Sequence, residues 1–199
     1  MSAEKLNTEI RKEQIALAAL SLIARHGVKA LTVGGVARMV GLVPSAIYRH
    51  YRSKNEVLDA TLDLIRDRLL GNIKAARESN SNPLDSIRHL LMRHIQLIQE
   101  FQAIPRIIFS EEIYSGTPER KAKLYEIIKE YLDGVGDMMR QGQQECRIRQ
   151  DIAPETLSVM FLGMLQPSAI LWHLTDGSFN MIRQTEKTWQ IFSEAIRTE

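Results

Sequence analysis

The chain has 199 residues, and its composition of 44% hydrophobic and 25% charged residues is typical of a soluble protein with a well-packed core. The net charge of +2 is divided unevenly: residues 1–54 contain 9 Lys and Arg against 3 Asp and Glu, and the remainder contains 17 against 21. A single cysteine, Cys146, excludes an internal disulfide, and the first residues lack the apolar segment of a secretory signal. We therefore expect a cytoplasmic protein whose basic N-terminal part binds a polyanion.

The first predicted element is an amphipathic helix from about Thr8 to His26. Its apolar residues recur at three- and four-residue spacing: Ile15, Ala18, Ala19, Leu22 and Ile23. Gly27 provides its C-terminal stop. We expect this helix to support the next two helices and to leave four cations as candidate phosphate contacts: Arg11, Lys12, Arg25 and Lys29.

Two short helices joined by a glycine turn come next. The first runs from Thr32, which can cap its amide groups, to Met39, and Gly41 interrupts the pattern. The second runs from Pro44 to about His50, because proline suits the first helical position. This arrangement is typical of a helix-turn-helix, whose second helix enters a DNA major groove.

The second short helix has a polar and aromatic surface, with only Ala46 and Ile47 as an apolar side that can pack inward. We predict that three residues read base edges, Ser45, Arg49 and His50, and that four mainly contact phosphates, Thr32, Tyr48, Tyr51 and Lys54. The predicted DNA-binding residues are Thr32, Pro44, Ser45, Tyr48, Arg49, His50, Tyr51 and Lys54.

A capping box marks the start of a long helix. Ser53 and Glu56 have the S-x-x-E spacing, so we expect a helix from Lys54 to about Glu78. Lys54 then lies at a helix N-terminus, where an ammonium and backbone amides together can hold a phosphate.

These features resemble the DNA-binding domain of the TetR family of bacterial transcriptional regulators. The matching residues are Thr32, Ala37, Gly41, the run from Tyr48 to Tyr51, Ser53 and Lys54. The resemblance implies an all-α homodimer, with a three-helix DNA-binding domain in residues 1–53 and an effector-binding and dimerisation domain in residues 54–199. The sequence departs from the family pattern at Gly34 and Gly35, and at Val43, where a serine cap is common.

Proline and polar breaks divide the rest of the chain into further helices, about nine in all. One break covers residues 79–82. The predicted helices run from Pro83 to about Phe101, Arg106 to Tyr114, Pro118 towards Glu145, Pro154 to about Leu174, and from beyond Gly177 to near the C-terminus. We find no convincing β-strand.

The last two helices are predicted to form a four-helix interface in a homodimer. Residues 157–174 carry no charge, but Ser158, Gln166 and His173 among them favour an interface helix over a membrane span. The final helix has a three-four packing seam. The predicted dimerisation residues are Phe161, Leu165, Ile170, Ile182, Trp189, Phe192 and Ile196. The alternative is that both helices simply complete the core of one chain.

No pattern in the sequence indicates catalysis, a metal or a cofactor. His89 and His94 are five residues apart and therefore lie on different helix faces, and the adjacent Glu111 and Glu112 diverge. The chain contains no H-E-x-x-H motif, no phosphate-binding glycine loop and no nucleophile elbow.

The C-terminal domain is expected to bind a small apolar or amphipathic effector between its helices, and binding would release the operator DNA. The candidate effector-binding residues are His94, Phe101, Arg106, Phe109, Glu112, Tyr131, Met164, Trp172 and His173. For each of them, ordinary packing or surface exposure is an alternative explanation. A repressor is the favoured function, and a ligand-independent DNA-binding protein or a helical protein-interaction module is the alternative.

Overall fold

Ten α-helices and one short 3-10 helix form the regular structure of residues 3–79 and 82–198, which the computed structural model describes, with side chains from residue 7 onward. The helices are α1 (Ala3–His26), α2 (Val33–Met39), α3 (Pro44–Ile47), α4 (Lys54–Ser79), α5 (Pro83–Glu100), α6 (Ala103–Ile108), α7 (Glu111–Tyr114), α8 (Pro118–Gln144), α9 (Pro154–Leu174) and α10 (Met181–Ile196). The 3-10 helix covers Val28–Ala30. The predicted all-α fold is confirmed, and residues 80 and 81 of the predicted polar break lie outside the described residues.

The segment predicted as one helix from Arg106 to Tyr114 contains parts of two helices. Helix α6 begins earlier, at Ala103, and α7 begins at Glu111. Pro105 is accommodated because it lies in the first turn of α6, where no intrahelical N–H donor is required.

Two compact units divide the chain. The first comprises Met1–Asp67 and Phe101–Leu124, and the second comprises Arg68–Glu100 and Tyr125–Glu199. Helices α4 and α8 each begin in the first unit and end in the second. The domain boundary expected between residues 53 and 54 would make each domain one continuous stretch of chain, and it stays a prediction. Each compact unit is instead built from two separate segments of the chain.

Helix α1 supports the first unit and packs against α2 and α6. Ile15 and Ile23 on its predicted apolar face are completely buried. A Cβ atom at Gly35 would lie 2.9 Å from Thr32 Oγ1 and 3.0 Å from Leu22 Cδ2. No side chain fits at position 35 without displacing a neighbour, which explains one of the two glycines that depart from the family pattern.

Ion pairs connect the two chain segments of the first unit. The paired atoms are Lys29 Nζ and Glu111 Oε2 at 3.2 Å, Arg120 Nε and Asp59 Oδ1 at 2.9 Å, and Lys123 Nζ and Asp63 Oδ2 at 2.6 Å. Arg120 is only 5% exposed, so its guanidinium depends on the hydrogen bond to Asp59 for compensation of its buried charge. The start of α8 is therefore tied to the start of α4.

The core of the second unit is formed where α5, α9 and α10 pack together, with buried side chains from α8. Five residues predicted to form the dimer interface belong to this core: Phe161, Leu165, Trp189, Phe192 and Ile196. None of the five exposes more than 7% of its surface, so they pack mainly within their own chain, which favours the alternative considered for these helices. Helical spacing identifies a buried face, but it does not distinguish burial within a chain from burial between chains.

The opposite face of α9 is apolar and exposed. Its exposed side chains are Val159, Met160, Ile170, Leu171 and Leu174, and α10 adds Ile182 and Ile191. By length and composition alone α9 could cross a membrane, but its other face lies in a protein core. Successive residues of a helix are about 100° apart, so the five exposed residues of α9 lie within about 120° of its circumference and form one stripe, which is the kind of surface that a protein partner covers.

Candidate nucleic-acid interface

Local hydrogen bonds fix the geometry of α2 and the turn after it. The amide of Gly35 donates to Thr32 Oγ1 at 3.0 Å, which confirms Thr32 as the N-cap of α2. Gly41 has a φ of 69°, a left-handed conformation that favours glycine, and it ends the helix as predicted. The amide of Leu42 then donates to the carbonyl of Ala37 at 2.8 Å and holds the turn against α2.

Helix α3 is shorter than the sequence predicted. Pro44 occupies its first position, but regular helix ends at Ile47 instead of near His50. The amides of His50 and Tyr51 both donate to the Ile47 carbonyl, at 2.9 and 3.0 Å, so the chain continues as a tight turn. Ile47 is completely buried and anchors this turn in the first unit.

The surface around Ile47 presents most of the predicted DNA-binding side chains to solvent. Exposed residues are Thr32, Pro44, Ser45, Tyr48, Arg49 and Lys54, whereas His50 and Tyr51 are partly buried. Tyr48 exposes 54% of its surface despite its large aromatic ring. An exposed aromatic hydroxyl beside an exposed guanidinium can contact a nucleic-acid backbone and base edges from one helix.

Tyr51 does not match its predicted role as a phosphate contact. Its hydroxyl donates a long hydrogen bond of 3.4 Å to the backbone carbonyl of Lys12 in α1. Burial raises the pKa of Tyr51 to about 12, and the nearby carboxylates of Glu9 and Asp63 add to the effect. Because this hydroxyl proton is directed at α1, Tyr51 holds the turn after α3 against α1.

The start of α4 confirms the predicted helix boundary at Lys54. The amide of Glu56 donates to Ser53 Oγ at 3.2 Å, and Glu56 Oε2 accepts from the amide of Arg52 at 2.7 Å. The carboxylate thus bonds the amide of Arg52, one residue before the partner expected in a capping box. Lys54 is exposed at the first residue of α4.

An open groove of about 670 Å³ lies between α1 and the turn after α3. It is lined by Asn7, Thr8, Ile10, Arg11, Gln14 and His50. The charge of Arg11 made it a candidate phosphate contact from the sequence. No sequence pattern indicated that Asn7, Thr8 and Gln14 of α1 lie near His50, because this proximity depends on how α1 and α3 pack. Lys29, another cation considered for DNA, is instead hydrogen-bonded to Glu111, which raises its pKa.

The nine candidate effector-binding residues are divided between the two units. The second unit contains His94, Tyr131, Met164, Trp172 and His173, and the first contains Phe101, Arg106, Phe109 and Glu112. His94 and Tyr131 are buried, with His94 Nδ1 and the Tyr131 hydroxyl 2.7 Å apart. Phe109 is 56% exposed, so it does not belong to a core. Within the described residues, no three His, Cys, Asp or Glu side chains are grouped as metal ligands.

Comparisons with known proteins find relatives along nearly the whole chain. The nucleoid occlusion factor SlmA of Vibrio vulnificus is 20% identical over 192 residues, which cover 94% of this chain and 96% of that protein. The HTH-type transcriptional repressor KstR2 of Mycobacterium tuberculosis is 28% identical over 142 residues, 71% of this chain and 70% of that protein. The crystal structure of the transcriptional regulator FadR from Bacillus subtilis in complex with stearoyl-CoA matches with a TM-score of 0.77 and 19% identity, over 93% of this chain and 99% of that one. The structural likeness shows a shared fold.

Family models match both parts of the chain. The model described as bacterial regulatory proteins of the tetR family matches residues 15–61, which contain α2, α3 and the turn between them. The model described as the C-terminal region of YsiA-like proteins matches residues 63–195, more than half of the chain. The chain therefore belongs to the tetR family of bacterial regulatory proteins, and its first three helices are the DNA-binding part of a transcriptional regulator.

Proposed function

We propose that this regulator is a repressor that binds a near-palindromic operator as a homodimer and releases it when an amphipathic effector binds. The observation that carries the proposal is the surface of α3 and of the turn after it, where Ser45, Tyr48 and Arg49 are exposed around the completely buried Ile47. Because Ile47 anchors the turn, these side chains are held outward and can enter a major groove.

Base reading is assigned to Ser45, Arg49 and His50. The guanidinium of Arg49 can donate two hydrogen bonds to O6 and N7 of a guanine, the commonest specific contact in the major groove. His50 and Arg11 both line the protein groove beside α1. A base that His50 reads would therefore lie close to a phosphate that Arg11 can bind.

Phosphate contacts are assigned to Thr32, Tyr48 and Lys54. Thr32 Oγ1 already accepts the capping hydrogen bond of α2, and its hydroxyl proton can still be donated to a phosphate oxygen. Lys54 adds a positive charge at the exposed start of α4. These contacts would fix the register of α3 on the duplex and supply the salt-dependent part of the affinity.

The apolar stripe on α9 is the proposed dimer interface. Regulators of this family bind operators as dimers and respond to small molecules. Two copies of the stripe that contains Val159, Ile170 and Leu174 would cover each other and remove these side chains from water. The dimer would present its two α3 helices to successive major grooves, about 34–36 Å apart or a multiple of that distance.

The proposed effector is a long-chain acyl thioester or a similar molecule with an apolar tail and a polar head. The support is the likeness to the FadR structure that contains stearoyl-CoA. In the second unit, the His94–Tyr131 pair offers a buried hydrogen-bonding group within an apolar core, and the partly buried Met164, Trp172 and His173 are further candidates.

The candidates in the first unit are considered separately and stay predictions. Among them Arg106 is the strongest, since its Nε atom is buried and has no hydrogen-bond partner among the described residues. A guanidinium in this condition gains from an anionic ligand group. Effector binding would favour a dimer conformation that does not fit the operator, and its effect is limited by its differential affinity for the two conformations.

A regulator of this kind acts in the cytoplasm, where it has access to the chromosome, and its function is regulation rather than catalysis. One alternative is a DNA-binding protein that needs no effector, and a nucleoid occlusion factor is among the relatives. A helical protein-interaction module with a basic end is the alternative that does not involve DNA.

In vitro selection from a randomised DNA duplex with the purified full-length protein tests these proposals. We expect a near-palindromic sequence to be enriched, and gel shifts on it should weaken steeply as salt rises. Stearoyl-CoA should release this DNA, whereas free CoA should not. No enriched sequence at low salt would overturn the operator-binding proposal, and an enriched sequence that stearoyl-CoA leaves bound would overturn the acyl thioester proposal.

A further inference from the structure

Val43, the residue immediately before α3, is an apolar side chain within the polar DNA-binding surface. It exposes 64% of its surface, and its neighbours Pro44 and Ser45 are also exposed. Valine has no side-chain atom that can cap a helix, and α3 has no side-chain cap. The isopropyl group therefore neither caps the helix nor fills a core.

The backbone holds Val43 in one conformation. Its φ of −85° and ψ of 151° are extended, as the following proline requires. The Val43 carbonyl accepts from the amide of Ala46 at 2.9 Å, and the preceding residue, Leu42, donates its amide to the carbonyl of Ala37. The β-branched side chain restricts χ1 as well. The isopropyl group is therefore preorganised beside the residues assigned to base reading.

Among the groups that base edges present in a major groove, the thymine C5 methyl is apolar, whereas the others are hydrogen-bond donors or acceptors. A rigid isopropyl group placed against a donor or acceptor would remove water from it without replacing the hydrogen bond. Against a thymine methyl group, the same side chain gains apolar contact.

We propose that Val43 reads a thymine methyl group in each half-site of the operator and so determines one base of the recognised sequence. This inference rests on the proposed function, in which the α3 surface faces the major groove. It adds an apolar contact to the polar contacts assigned to Ser45, Arg49 and His50.

Replacement of thymine by deoxyuridine, which lacks only the methyl group, tests the proposal. The operator is first obtained by selection with the full-length wild-type protein, and each thymine is then replaced in turn. We expect one thymine per half-site whose replacement weakens wild-type binding about fourfold, the effect of one buried methyl-sized group. The Val43→Ala and Val43→Ser variants should bind thymine and deoxyuridine at that position equally.

The serine variant separates base reading from folding. Because serine is a favourable N-cap, Val43→Ser should keep or improve the start of α3, so its loss of discrimination cannot come from an unfolded helix. Wild-type protein that is indifferent to every replacement, or variants that discriminate as the wild type does, would overturn the thymine contact alone. Failure to select any operator would overturn the proposed function as well.

Discussion

The Nδ1 atom of His94 lies 2.7 Å from the hydroxyl oxygen of Tyr131 inside the core of the second unit. The two rings meet edge to face, with their centroids 5.1 Å apart. Burial lowers the pKa of His94 to about 4 and raises the pKa of Tyr131. At neutral pH both groups are therefore uncharged and hydrogen-bonded, which is how an apolar core tolerates polar side chains.

Acidification should destabilise the protein through His94. Its ordinary pKa is 6.5, so between pH 6.5 and about 4 the unfolded chain binds a proton that the folded chain excludes. This contribution to the free energy of unfolding is complete above pH 6.5 and is lost as the pH falls towards 4. The total loss is at most about 3 kcal/mol. Denaturant unfolding at pH 7.5, 6 and 5 should show a steeper loss for the wild type than for His94→Gln, which cannot titrate. Equal losses in the two proteins would contradict the prediction.

The adjacent glycines of α2 should respond in opposite directions to alanine. Gly35→Ala would force a Cβ against Thr32 Oγ1 and Leu22, so we expect a loss of about 1–3 kcal/mol in the free energy of unfolding. At Gly34 no atom lies within 4 Å of the added Cβ, and the better helix propensity of alanine should add up to about 1 kcal/mol. Thermal unfolding of the two variants measures the difference, and equal stability would show that α2 does not approach Leu22 this closely.

Removal of the Tyr48 hydroxyl should weaken operator binding without changing stability. Tyr48→Phe keeps the exposed ring and loses a hydrogen bond to a charged phosphate, so we expect the Kd to rise about tenfold or more. Tyr125→Phe, which removes a hydroxyl from another exposed tyrosine, in the second unit, is the matched control. Gel shifts at a fixed salt concentration give both constants, and an unchanged Kd for Tyr48→Phe would remove Tyr48 from the interface.

A charge on the exposed stripe of α9 should separate the dimer. Val159→Glu places a carboxylate among apolar side chains that the partner would bury, which strongly disfavours association. Gln144→Glu introduces the same charge at an exposed position at the end of α8, a helix that contributes no residue to the stripe, and should leave the dimer intact. Light scattering after size-exclusion chromatography distinguishes the two masses. If Val159→Glu remains dimeric, the interface lies elsewhere.

Short-range chemistry made much of the fold predictable. The Thr32 cap, the left-handed Gly41 and the capping residues Ser53 and Glu56 each act within four residues. Prolines at the first helical position marked the starts of α3, α5, α8 and α9, because a proline there loses no intrahelical hydrogen bond. The same local signals indicated the similarity to the tetR family.

Contacts between distant segments of the chain decided which side chains are buried and which are exposed. An apolar helix such as α9 can bury either face, and only the packing of α5 and α10 fixed Phe161 in the core and left Val159 outside. The hydroxyl of Tyr51 is directed at α1, and Lys29 is bound by Glu111, 82 residues away. The sequence by itself thus determined where most helices begin and which family the chain belongs to, because those signals are local. The tertiary structure decided which side chains remain free to contact a partner, because that depends on neighbours that no local pattern specifies.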